Sequence, residues 1–157
     1  MSFLLSIYLF FSTLSAQQQP AWTYKRTVEA GAVVYRATVL SPTRLDFGYP
    51  YGGGAIPRLT LRSRSDGTTH VYVEVSKGQF NRSFQNGTAR IRFDQQPERK
   101  YSVSAAANGR ANIVFLDTDR AFIDQLKRAK KLTVRLAFVE QKGWQMDFPV
   151  AGLVWAR

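Results

Sequence analysis

A single histidine, His70, and no cysteine remove most metal and nucleophile chemistry from this chain. Zinc sites are assembled from several Cys and His ligands, and a disulfide or thiolate needs a thiol. No Gly-x-Ser-x-Gly elbow frames a nucleophilic serine. Eleven carboxylates leave a two-carboxylate hydrolase open, but Asp46, Asp94, Asp117 and Asp147 fall at turn, cap or outer-face positions of the patterns described below. The run Gly48-Tyr49-Pro50-Tyr51-Gly52-Gly53-Gly54 has the composition of a phosphate cradle. Yet a strand pattern follows it instead of a helix, and no Lys-Ser or Lys-Thr pair completes a P-loop. It reads as a wide turn, with Tyr49 and Tyr51 as candidate loop contacts. No cofactor is expected.

What remains is positive charge. Lys and Arg number 22 against 11 acids, for a net charge of +11 and a pI near 10.3. The candidate anion-binding residues are Arg58, Arg62, Arg64, Arg90, Arg92, Lys127, Lys130 and Lys131. The arginines of residues 58–64 and 89–93 form one basic stripe if those two segments are neighbours; the ordinary alternative is solvated arginines guarding a sheet face. The lysines cluster in the last turn of a helix pattern, where the helix dipole favours cations, or else they bind an anion. Charge of this size steers anionic partners. No RNA- or DNA-binding motif is present and basic charge alone is non-specific, so nucleic acid is not the expected partner.

Period-two alternation dominates the elements that must carry these residues. It runs through 22–30, 32–40, 58–64, 70–76, 89–93, 101–105, 111–116, 132–138 and 144–150, with a short candidate at 44–47. Asp66-Gly67 marks a hairpin between 58–64 and 70–76, and Gln141-Lys142-Gly143 marks a turn before the last strand. Pro149 must lie at an edge or near a strand end. One helix is expected over about 118–131, capped by Thr118 or Asp117, with Phe122, Leu126 and Ala129 on its apolar stripe. The expected fold is all-β: an antiparallel sandwich or flattened barrel of about eight to ten short strands, with the helix across an end or edge and Trp22, Trp144 and Trp155 in the core.

Residues 1–16 read as a signal peptide. The stretch from Phe3 to Phe11 is apolar, Ala16 offers a small residue for cleavage, and Gln17 begins a polar segment. An uncleaved N-terminal anchor is the alternative. Residues 17–157 then form a single β-rich domain, long enough for a core of its own without disulfides and with no transmembrane helix expected. Asn81-Arg82-Ser83 and Asn86-Gly87-Thr88 match the glycosylation sequon, a short pattern that chance often supplies.

Taken in order, the chain offers the apolar leader and Trp22, then Leu59-Thr60-Leu61-Arg62 and Val71-Tyr72-Val73, then Ala89-Arg90-Ile91-Arg92-Phe93-Asp94. Phe122-Ile123-x-x-Leu-x-x-Ala129-x-x-Leu132-x-Val134-Arg135 and Phe148-x-Val150-x-Gly152-Leu153-x-x-Ala156 complete it. This order resembles the small exported β-domains of Gram-negative bacteria and their phages grouped around the type VI secretion-associated TagO/VasI proteins. It is similar in outline to the invasion-associated locus B proteins. The resemblance covers most of the chain beyond the leader and is strongest over 91–156. It implies a cysteine where Ser63 stands, so a stabilising disulfide is absent here. It also implies a periplasmic accessory or binding domain without known catalysis, and no active-site residues to carry over.

The expected function is therefore a non-enzymatic exported accessory domain, periplasmic or secreted. Its partner would be an envelope protein or an anionic envelope component such as a lipid headgroup, lipopolysaccharide or acidic wall polymer, within a secretion or phage-related system. The alternatives are an inhibitor or immunity-type protein that blocks a cell-wall hydrolase through the loop at 48–55, and a carboxylate-dependent hydrolase.

Overall fold

A computed structural model describes residues 21–80, 87–138 and 141–157. The leader, both sequon asparagines and the two residues at 139–140 lie outside that description. Nine strands and one helix follow in order: β1 Thr23–Glu29, β2 Ala32–Leu40, β3 Pro57–Arg64, β4 Thr69–Val75, β5 Thr88–Phe93, β6 Arg99–Ala105, β7 Ile113–Leu116, α1 Arg120–Arg128, β8 Lys131–Phe138 and β9 Gln141–Pro149. The all-β expectation holds. Residues 44–47 form no strand; Leu45 makes an isolated bridge with Ala55.

The strands form one antiparallel sheet in the order β1-β2-β3-β4-β7-β6-β5-β8-β9. Strand β6 belongs to two ladders. Its first half pairs with β5, from Ile91 opposite Arg99 to Thr88 opposite Ser102, and its second half, Val103 to Ala105, pairs with β7. The sheet turns over at this strand and makes two layers, each burying one face. Leu59, Leu61, Val71, Val73 and Val114 project from one layer, and Ile91, Leu132, Val134, Met146 and Phe148 from the other, into a single core. Burying such a side chain contributes roughly 1.5–3 kcal/mol, so the alternation fixes which arginines face outward.

Two chemical details set the corners. Ala30 and Gly31 both have positive φ, 48° and 76°, giving the two-residue hairpin turn whose twist matches its strands. Helix α1 begins at Asp119, whose carboxylate accepts the Phe122 N–H at 2.9 Å. The cap therefore sits one or two residues later than Thr118 or Asp117, because Phe122, Ile123 and Leu126 are the positions that reach the core. The helix stops at Arg128, since Ala129 is already extended (φ −77°, ψ 154°). Asp94 holds this exit. Its Oδ1 accepts the N–H groups of Lys130 and Lys131 at 3.0 and 2.9 Å, and its own N–H bonds the Lys131 carbonyl.

The last hairpin corrects one expectation. Gln141, Lys142 and Gly143 are not a turn; β9 starts at Gln141, which pairs with Phe138. Pro149 ends this edge strand, where its missing N–H interrupts no ladder. At the open side, the Trp22 indole donates to the Val150 carbonyl at 2.9 Å and the Val154 N–H donates to the Tyr24 hydroxyl, so the two sheet edges meet without pairing as strands. Among the described residues, no helix is long and apolar enough to cross a membrane.

Candidate anion-binding faces

The outward arginines divide between the two layers. Strands β3 and β5 are separated by β4, β7 and β6, so Arg58, Arg62 and Arg64 do not join Arg90 and Arg92 in one stripe. Sequence alternation showed that each set points outward but carried no information on strand order.

On the β6-β5-β8-β9 layer, Arg90 stands directly opposite Lys100 on β6 and Arg135 on β8. Arg92, one step along the same face, stands opposite Thr133, and Lys131 lies on the far side of Thr133. These cations meet two carboxylates. Glu98 pairs with Arg135 at 2.7 Å, and Asp147 with Lys131 at 3.5 Å. The Arg135 Nε also donates to the Gln145 side chain at 2.9 Å, and the Thr133 hydroxyl to Asp147 at 2.6 Å. Partial burial raises the Asp147 carboxyl, but hydrogen bonds from Thr133 and Gln145 and the Lys131 ammonium outweigh it and hold the group below the ordinary carboxylate value. Among the described residues, neither Arg90 nor Arg92 has an acidic partner, and the Arg92 Nε is buried without a hydrogen-bond acceptor. Lys100 and Arg135 complete the row and were not singled out from sequence.

On the β1-β2-β3-β4 layer the charges are compensated. The Glu29 carboxylate spans Arg36 at 2.7 Å and Arg62 at 3.1 Å. These two guanidiniums, Arg36 first, lower its pKa to about 2 against a smaller opposing effect of burial. Glu74 spans Arg110 at 2.6 Å and Arg58 at 3.6 Å, and Arg64 pairs with Asp66 at 2.9 Å. Between the two glutamate clusters lies a cavity of about 660 Å³. Arg36 and Arg110 are the residues that sequence reasoning missed here. His70 lies opposite Arg62, and its ring meets Phe115 edge-on. Among the described residues, no group of three or more His, Asp and Glu is placed to hold a metal.

The remaining candidates stand apart. Lys127 pairs with Asp124 at 3.8 Å on the helix, and Lys130 is exposed at its exit. Tyr49 is 99% exposed and Tyr51 half-buried. Their loop is braced: the Gly48 N–H donates to Asp46 at 2.8 Å, the Tyr51 N–H to the Gly48 carbonyl at 2.7 Å, and Lys77 to the Gly52 carbonyl at 2.6 Å.

No family model and no curated protein matches this chain. Among solved structures, the chain is similar to the crystal structure of invasion associated protein B from Bartonella henselae. The two share a TM-score of 0.54 and 12% identity over 83% of this chain and 84% of that one. At this identity the likeness is one of fold, and it agrees with the outline read from the sequence.

Proposed function

We propose that this chain is a non-enzymatic exported accessory domain that binds an anionic component of the cell envelope through the outer face of β6-β5-β8-β9. The observation that carries the reading is the row Lys100, Arg90 and Arg135, which places three cations directly opposite one another on adjacent strands. Like charges so placed destabilise a sheet. A phosphate or carboxylate array lying across the row relieves that repulsion. Export rests on the apolar leader at 1–16. The likeness to invasion associated protein B in fold and the TagO/VasI-like order of sequence features support an accessory role within a secretion system.

The test is co-sedimentation of residues 17–157 with vesicles of phosphatidylglycerol or of phosphatidylcholine, at low and at high salt. The expected result is binding to the anionic vesicles alone, weakened steeply by salt because exposed charges are screened, and reduced by the Arg90→Ser/Lys100→Ser double substitution. Binding that ignores salt, lipid charge and the double substitution overturns the reading.

A second reading has one specific observation in its favour. The braced loop that carries Tyr49 outward is the rigid projecting element that an inhibitor of a cell-wall hydrolase needs. If this loop is the inhibitory element, Tyr49→Ala abolishes inhibition of lysozyme-type activity in envelope extract while leaving the thermal midpoint unchanged. A wild-type chain without inhibitory effect ends that reading.

A further inference from the structure

We infer that the cavity on the outer face of β1-β2-β3-β4 is a second binding site, and that it takes an acidic saccharide. Its floor is a row of hydroxyls. Thr38, Thr60 and Tyr72 stand side by side across β2, β3 and β4, the Thr38 and Thr60 hydroxyls hydrogen-bond at 3.2 Å, and Thr60 is 2% exposed. On either side of this row lies a carboxylate clamped by two guanidiniums: Glu29 by Arg36 and Arg62, Glu74 by Arg58 and Arg110.

Sugar hydroxyls both donate and accept, so they need planar acceptors and donors held in fixed positions. Carboxylates supply the first and guanidiniums the second. Each clamp fixes one of its glutamate's orientations before any ligand arrives, and Glu29 stays an acceptor down to strongly acidic pH. The Tyr72 ring packs on Phe115 at 5.2 Å between centroids and offers, at the end of the hydroxyl row, a small apolar platform for the C–H face of a pyranose. The volume, about 660 Å³, falls within the range of small-molecule sites.

The acidic class follows from the asymmetry of the Glu74 clamp. Arg110 holds Glu74 at 2.6 Å, while Arg58 stands off at 3.6 Å with nearly half its side chain exposed. Arg58 therefore has donors free for a ligand carboxylate, and the Arg36, Arg58 and Arg110 guanidiniums with the Lys25 ammonium outnumber the two glutamates that line the cavity. An apolar chain or lipid tail finds no matching stripe here, because the floor is polar.

The experiment is an NMR titration of the full chain with trigalacturonate, and with galactotriose as its carboxyl-free counterpart. Trigalacturonate is expected to shift the Thr38, Thr60 and Tyr72 amides. Galactotriose binds about tenfold or more weakly, and Arg58→Gln and Tyr72→Ala each weaken trigalacturonate by about tenfold, the scale of one lost charge-assisted hydrogen bond or ring contact. Arg90→Ser leaves this binding unchanged. Absence of shifts at Thr38 and Thr60 overturns the proposal, as does equal affinity for both trisaccharides. Shifts confined to Arg90, Lys100 and Arg135 also overturn it, and they support the charged-row reading of the opposite layer.

Discussion

Arg90 on β5 lies directly across the antiparallel ladder from Arg135 on β8, with Lys100 on its other flank. Glu98 compensates Arg135, but Arg90 has no acidic partner among the described residues. A cross-strand like-charge pair costs up to about 1 kcal/mol. Arg90→Thr is therefore expected to raise stability by a few tenths to about 1 kcal/mol at low salt, measured as the urea midpoint, and to lose the gain at high salt. The same substitution weakens binding to anionic vesicles. A stabilised variant that binds less well is the signature of a residue kept for a ligand; a destabilised one assigns Arg90 to the fold instead.

Asp94 joins three elements through one carboxylate. It adopts φ 49°, a left-handed conformation that Asp and Asn tolerate better than most residues, and its Oδ1 accepts both N–H groups at the start of β8. Asp94→Ala removes both bonds and keeps the strained backbone, at a cost of about 1–3 kcal/mol. Asp94→Asn keeps a carbonyl acceptor and the conformational tolerance, so it costs less than the alanine. Urea denaturation of the two variants ranks them; equal losses show that the negative charge of the carboxylate, which asparagine lacks, is what matters at this turn, and not the backbone conformation that asparagine shares.

The architecture was legible in the sequence because one buried face imposes period two on every strand, and Val71, Val73 and Val75 or Leu132, Val134 and Leu136 display it plainly. Strand order was not legible. The Asp66-Gly67 turn joins β3 to β4, but nothing local tells β4 that β7 is its far neighbour, or that β6 will be divided between two ladders, and so the arginines of 58–64 and 89–93 could be placed outward but not together or apart. Lys131 was grouped with helix lysines by sequence proximity, whereas it lies on the face that carries Arg90 and Arg92 because β8 begins there. Polarity misled at Gln141-Lys142-Gly143: β9 lies at the sheet edge, and an edge strand admits residue types that resemble a turn. Asp119 outcompeted Thr118 and Asp117 as the cap because the buried positions of the helix set its phase, and a cap follows that phase.

Glu29 gives a pH dependence with a definite sign. Its carboxyl is lowered from 4.5 to about 2 by Arg36 and Arg62. The folded state binds this proton more weakly than the unfolded chain, so the contribution to stability is fully present above about pH 4.5 and is lost as pH falls towards 2. Glu29→Gln removes the dependence. The difference in urea midpoint between wild type and Glu29→Gln should be constant from neutral pH down to about 4.5 and narrow below it. A difference that narrows instead at neutral pH places the titrating group elsewhere.

The closure between the first and last strands rests on few groups, and Trp22 is the most exposed to test. Its indole N–H donates to the Val150 carbonyl across 128 positions of sequence, in a buried setting. Strands β1 and β9 make no ladder with each other, so the contact replaces the strand pairing that would close a barrel. Trp22→Phe keeps most of the apolar area and removes the donor, leaving a buried carbonyl without it, for a loss of about 1–3 kcal/mol. Because β1 has a ladder on one side alone, with β2, the effect should be local as well as global. Amide exchange in β1 and in the segment after Val150 should accelerate more than exchange in β3 and β4, which are paired on both sides. Uniform acceleration across all strands identifies Trp22 as an ordinary core residue and removes its role in joining the two edges.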